Sequence, residues 1–423
     1  MPHSPLFVQL IVIIGVARLC GLLLRYVGQP PIIGEMTAGF LLGPIVFGAW
    51  FPGLHAYLFA PATLPGLTAL STLGLVLFMF IVGAELRAPN GVGQQIRSAG
   101  TVGALSLLLP MALGIGVAPL LYPLAPEGVA FWPFALFMAV AMSITAFPVL
   151  ARILKDRGLT RTPLGQLALS SAAMADVFAW IMLALVVALL GTHTGYTGFF
   201  TTVLGLLAVG AVVFLLLRPF YAWLLRTRAP DGQVSVTVLA AILIGVFGCA
   251  AVTQWLGLHE VFGAFLFGAC LPRDDRLLKA MVQRLEYVSV AALMPIFFAL
   301  AGLNTTANAF VGTGLGIMAL LLLAGISGKV LGGAAGARLA GFGWRDSFAT
   351  GALMNARGLM ELIVMKVGLD AGVIGPQLFT MLLIMALVTT FMTSPLIRLF
   401  AGPAALPLKG DAPAAGPDRA SHR

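Results

Sequence analysis

Residues 131–154 read FWPFALFMAVAMSITAFPVLARIL. The stretch has the length and apolar character of a membrane-spanning helix, about 20 residues, yet it carries Ser143, Thr145 and Pro148 at membrane depth. Proline lacks an N–H, and its ring disrupts the helical bond to the carbonyl of Ile144. In lipid, such a break is tolerated only where protein or water lines it. The freed carbonyls, with the Ser143 and Thr145 hydroxyls, are oxygen ligands for a hard cation. A second apolar run is interrupted in the same way by Met354-Asn355-Ala356-Arg357-Gly358, and Arg357 and Glu361, at i and i+4, share a helix face and can pair.

The surroundings of these two breaks define the class of protein. Of 423 residues, 60% are hydrophobic and 9% charged, with a mean hydropathy of +1.03. Soluble domains carry about 25% charged residues, so the chain reads as an all-α polytopic membrane protein. Apolar runs punctuated by polar, proline or glycine residues predict thirteen helices: 6–25, 30–48, 64–86, 98–122, 130–153, 163–191, 198–220, 234–256, 259–271, 287–303, 311–338, 347–367 and 377–401. The ninth is short enough to be half a span.

Charge tests the count. With the N-terminus outside, alternation puts 20 of the 24 Lys and Arg in inside loops and leaves Lys366 outside. One miscounted helix would invert every later loop, so the bias predicts an odd number of spans and an inside C-terminus. The first run has no basic residues before it and is followed by Arg25, which suits a retained helix rather than a cleaved signal peptide. The net charge of +9 therefore records loop positions, and nucleic acid is not an expected partner.

The breaks lie in runs five and twelve, seven spans apart, so their helices cross in opposite directions. An inverted repeat of runs one to six and eight to thirteen, joined by run seven, predicts that arrangement, and paired broken helices point to a transporter site near the bilayer midplane. Ionisable residues in such spans are functional candidates. Asp176, thirteen residues into run six, lies too deep for its short side chain to reach the interface. Lys329 lies in GISGKVLGG, whose glycines let another backbone approach closely. Arg18, Glu35 and Glu85 lie near helix ends, where snorkelling or capping accounts for them.

At these residues the chain resembles a known family. PPIIGEMTAGFLLGP (30–44), SITAFPVLARIL (143–154), SSAAMADVFAWIMLAL (170–185), SGKVLGG (327–333) and NARGLMELIVMKVGL (355–369) look like the monovalent cation:proton antiporters, nearest the branch with the plant cation/proton exchangers. The resemblance spans about 1–400. It implies exchange of Na+ or K+ for H+, with Asp176 as the ion-binding carboxylate and Lys329 as a basic partner. Thr145, with Ser143, matches the first unwound segment, and Arg357 and Glu361 fall in the second. It also implies a homodimer in the bilayer. Each subunit has a scaffold (about 1–86 and 234–303), a moving core (about 98–191 and 311–402) and a linker helix (198–220), followed by a short cytoplasmic tail, 403–423, expected to be disordered.

Two departures from the family pattern alter expectations. The family commonly has Asp-Asp or Asn-Asp at the site, but here the pair is Ala175-Asp176. One carboxylate suits electroneutral exchange of one proton for one cation, unless a buried Lys329 titrates as well. The tail is too short for a nucleotide-binding regulatory domain, so control of that kind would come from a separate subunit.

Enzymatic and cofactor readings find little support. Lys329 is followed by Val330 and lacks the phosphate-loop spacing. The histidines at 3, 55, 193, 259 and 422 fall in predicted loops or termini without ligand spacing, and Cys20, Cys249 and Cys270 read as packing residues. No cofactor is expected beyond the transported ions. The alternatives to exchange are a sodium-coupled organic-solute symporter on a similar scaffold and, less favoured because no selectivity-filter loop is present, a channel.

Overall fold

The computed structural model describes residues 5–85, 93–159, 162–190, 204–205, 207–228, 235–256, 260–271, 285 and 288–401. The expected tail and part of the expected linker helix lie outside these residues. Helices α1 (Leu6–Tyr26), α2 (Pro31–Leu42), α3 (Leu64–Glu85) and α4 (Gly93–Leu121) are followed by a broken pair, α5 (Phe131–Ser143) and α6 (Phe147–Asp156). Then come α7 (Pro163–Leu190), α8 (Leu207–Arg228), α9 (Val236–Trp255), α10 (Glu260–Cys270), α11 (Ser289–Leu303) and α12 (Gly314–Leu339). A second broken pair, α13 (Trp344–Met354) and α14 (Leu359–Asp370), precedes α15 (Pro376–Ala401). Among the described residues no strand occurs. Nine stretches among the described residues are long and apolar enough to cross a membrane; the two broken pairs, α10 and α11 account for the remaining expected runs.

Several boundaries differ from the sequence reading. Run two ends as a helix at Leu42, because Gly43 adopts an extended conformation and Pro44 follows; two short helices, Phe47–Trp50 and Pro52–Leu58, cover the connection. His55, expected in a loop, lies on the second of these among Phe47 and Phe59. Helix α8 reaches Arg228 instead of stopping near 220, since arginine is a good helix former and can extend its charge to the exposed end. Glu35, expected to reach the interface, is 2% exposed and pairs with Arg18 at 3.3 Å, while Arg18 also donates to Ala291 O. The Glu85 side chain lies outside the described residues. The three cysteines are free and buried.

Glycine spacing exposes the inverted repeat at residue level. Gly34 and Gly39 in α2 stand five apart, as do Gly263 and Gly268 in α10. A Cβ at Gly34 would strike the α1 backbone at Cys20–Gly21; one at Gly263 would strike α9 at Cys249–Ala250. Gly39 and Gly302 of α11 abut backbone to backbone, and Gly268 abuts α3 around Phe80 and Gly83. Thus α1–α2–α11 repeats as α9–α10–α3, and the short α10 is the counterpart of the equally short α2. Close approach through small residues is how membrane helices gain packing without a hydrophobic driving force.

The same device joins the other helices. Gly328, Gly332 and Gly336 on α12 lie successively against Pro110, Leu105 and Val102 of the antiparallel α4, and Gly333 faces Gly351 of α13. Helix α15 closes the assembly. Pro395 inside it has no N–H, which leaves Phe391 O without its helical donor, and Gln29 Nε2 from the α1–α2 connection fills the vacancy at 3.1 Å. That connection turns at Gly28, whose φ of 76° suits glycine and whose missing Cβ leaves room for the Arg398 guanidinium.

Candidate functional site

The site is built where the two breaks cross. In the first, α5 ends at Ser143, Ile144 is extended, and α6 starts at Phe147. Pro148 is therefore the second residue of the new helix, where the N–H it lacks would have had no helical partner. The proline starts the second half-helix rather than kinking a continuous one, and Ile144 already lies outside both halves. In the second break, α13 ends at Met354 and α14 begins at Leu359, leaving residues 355–358 unwound.

The unwound segments satisfy one another. Ala146 N–H donates to Ala356 O at 3.0 Å, and Thr145 Oγ1 donates to Met354 O at 3.3 Å. Arg357 crosses to the carbonyl end of α5, donating to Met142 O at 2.8 Å and Ala141 O at 3.4 Å, and binds Glu361 Oε1 at 2.7 Å. Both members of this pair are 0% exposed. Lys329, also fully buried, donates to Ser143 O and to Thr145 Oγ1, the latter at 2.6 Å. Cations thus sit at the carbonyl end of one half-helix, and Glu361 sits in the first turn of another, the pairing that helix dipoles favour.

Asp176 on α7 is 2% exposed, and among the described residues neither carboxylate oxygen has a hydrogen-bond partner. It lies in the field of the Phe147 N–H, at the amino end of α6, and of Lys329. A small cavity adjoins it, lined by Ile144, Asp176, Ala179, Met360 and Val364. Asp176 and Ala179 share a face of α7, Met360 and Val364 a face of α14, and Ile144 belongs to the first break.

All six residues singled out in the sequence are buried at or beside the crossing. Their connections differ from expectation in one respect. Lys329 binds Ser143 O and Thr145 Oγ1, so it occupies oxygens that sequence reasoning offered to a cation, and it forms no hydrogen bond with Asp176. The Ser143 hydroxyl is taken by Val140 O. A different set of residues went unnoticed. Thr390 on α15 accepts from Arg357 N–H at 2.9 Å and donates to Arg357 O at 2.7 Å, and Asn355 Nδ2 donates to Thr389 O at 3.1 Å. The signal was a hydroxyl cluster, Thr389, Thr390, Thr393 and Ser394, within the largely apolar run 377–401.

Residues 13–400 match the family described as sodium/hydrogen exchanger, transmembrane. The chain belongs to this family. It is 42% identical over 400 residues to the Na(+)/H(+) antiporter NhaS4 of Synechocystis sp., an alignment covering 94% of this chain and 97% of that one. Cation/H(+) antiporter 17 of Arabidopsis thaliana is 36% identical and K(+)/H(+) antiporter 1 of Saccharomyces cerevisiae 33% identical, over 93% and 94% of the chain. The chain spans about half the length of these two, 48% and 46%. The fold matches that of the sodium proton antiporter MjNhaP1 from Methanocaldococcus jannaschii, with a TM-score of 0.67, 14% identity and coverage of 95% of this chain and 100% of that one. All these proteins are named as antiporters, and a symporter reading finds no support among them. The family resident is thus a multi-pass membrane transporter.

Proposed function

We propose that the protein exchanges a monovalent cation, Na+ or K+, for a proton by alternating access, with Asp176 binding either ion in turn. The observation that carries this reading is a buried carboxylate whose oxygens lack hydrogen bonds among the described residues, facing a cavity lined by both broken helices and α7. A buried carboxylate left without partners is costly unless an ion or proton neutralises it. The Na(+)/H(+) and K(+)/H(+) names of the relatives agree with both cations.

The exchange is electroneutral. Lys329 is held by neutral oxygens of the first break, so Asp176 can trade a proton for a cation without breaking an ion pair. Protonated Asp176 and cation-loaded Asp176 leave the cluster of Lys329, Arg357, Glu361 and Asp176 with the same net charge. Ser143 and Thr145 join the cation site when Lys329 releases them. Helices α4–α7 and α12–α15 move as the core against α1–α3 and α9–α11, with α8 as linker. The protein works as a homodimer in a bacterial inner membrane, N-terminus outside and C-terminus inside; it is not an enzyme.

The test uses purified protein in liposomes with an imposed pH gradient and an internal pH dye. Addition of Na+ or K+, but not choline, shifts the lumenal pH, and Asp176→Asn abolishes the shift while eluting as a folded species. Near-normal exchange by a folded Asn variant overturns the assignment. A potential set with valinomycin leaves a Na+-driven proton flux unchanged; a flux that follows the potential rules out 1:1 exchange and makes Lys329 the second proton carrier.

A further inference from the structure

We infer that Thr390 is a positioning residue for transport: its hydroxyl holds the second break open in the geometry that lets Arg357 reach across to the first. The inference deepens the exchange reading and rests on it for its transport arm. An unwound segment inside a membrane must find partners for its backbone groups, because lipid offers none. At Arg357 both come from one side chain. Thr390 Oγ1 receives the Arg357 N–H at 2.9 Å and lies 2.7 Å from Arg357 O, and the same oxygen lies 2.7 Å from Ala386 O in its own helix.

A hydroxyl has one proton and two lone pairs. It can therefore accept the Arg357 N–H permanently while its proton is shared between, or switched from, Arg357 O to Ala386 O. Both backbone groups of one residue are thereby tied to α15 rather than to α13 or α14. The adjacent turn reinforces the tie through Asn355 Nδ2 and Thr389 O. With its backbone fixed, the Arg357 side chain reaches Met142 O, Ala141 O and Glu361. Thr390 does not line the cavity, and its hydroxyl bonds backbone groups of Arg357 and Ala386, so its effect reaches the ion site through the placement of the break.

Thr390→Val keeps shape and removes the hydroxyl, Thr390→Ser keeps the hydroxyl and removes a methyl, and Thr390→Ala provides a smaller second deletion should the valine protein fail to fold. Thr253→Val is the control, since the Thr253 hydroxyl is buried but bonds only carbonyls of its own helix. Two readouts are taken. In hydrogen–deuterium exchange on the detergent-solubilised protein, Val or Ala speeds exchange of the 354–359 segment by about tenfold, and Ser restores protection. In proteoliposomes, Val or Ala lowers the maximal exchange rate about tenfold with the cation KM moving less than about threefold, Ser recovers the rate, and Thr253→Val stays near wild type.

Unchanged protection of 354–359 in the Val and Ala proteins overturns the inference, as does a Ser variant that loses as much as Val, which would assign the effect to packing. The deuterium arm reads the break directly, so it judges Thr390 even if the wild-type protein exchanges no cation for protons. That last result would defeat the exchange reading alone.

Discussion

The two breaks occupy corresponding places in the inverted halves, yet they are stabilised by opposite means. The first, Ile144–Ala146, contains no charged residue, and cationic side chains from elsewhere, Lys329 and Arg357, serve the carbonyl end of its half-helix. The second, residues 355–358, brings its own amide and guanidinium and exports the guanidinium to the first, while α15 supports its backbone. One break is therefore a receiver of charge and the other a donor. The symmetry of the fold sets where the helices part, and each parting supplies different groups to the shared network. Asp176, in the same half as the receiving break, has neither carboxylate oxygen hydrogen-bonded among the described residues.

The sharpest way to break this relation is to remove the shared cation. Arg357→Ala strips the carbonyls of Met142 and Ala141 of a donor and leaves Glu361 buried without its partner, a change that costs about 3–5 kcal/mol. A large drop in melting temperature in detergent is expected, and Arg357→Lys should recover only part of it, because an ammonium cannot reproduce the two-pronged geometry. A near-native melting temperature for the alanine protein would show that the two breaks are held independently.

A smaller effect is expected at Lys329. In Lys329→Gln the amide can still donate to Ser143 O and Thr145 Oγ1, but one positive charge leaves the cluster. Stability should fall by about 1–2 kcal/mol, and the pH profile of exchange should move while the ranking of Na+, K+ and Li+ stays the same. If profile and melting temperature both hold, the first break does not depend on the ammonium.

Smallest is Thr145→Val, which removes the acceptor of Lys329 and the donor to Met354 O, for a loss of about 1 kcal/mol. Combined with Lys329→Gln the losses should be less than additive, since both act on the same Lys329–Thr145 hydrogen bond. Strict additivity in a melting-temperature cycle would place the two residues in separate networks.

Some features of the site were legible in the sequence because they follow from local rules. The i, i+4 spacing of Arg357 and Glu361 decides that they share a face, and a hydroxyl and proline cluster in an apolar run decides that the helix is interrupted. The depth of Asp176 in its run decides that its short side chain cannot reach the interface. The glycines around Lys329 do admit neighbouring backbones, as their density indicated. Other features depend on which helix lies beside which. The pairing of Lys329 with Ser143 and Thr145 joins residues more than 180 positions apart, and the support of Arg357 by Thr390 joins two helices whose facing sides no periodicity reveals.

The chain by itself therefore determined its class, its spans and the positions of its two breaks, because apolar length, chain breakers and charge spacing act within one helix. Only the tertiary structure decided which side chains satisfy the unwound backbone and which carboxylate is left unsatisfied. The reason is that a membrane interior supplies no water, so every freed N–H and C=O must find a partner from whichever helix packing brings near. Asp176 receives no hydrogen bond from Lys329 or Arg357, whose donors are directed to the breaks and to Glu361.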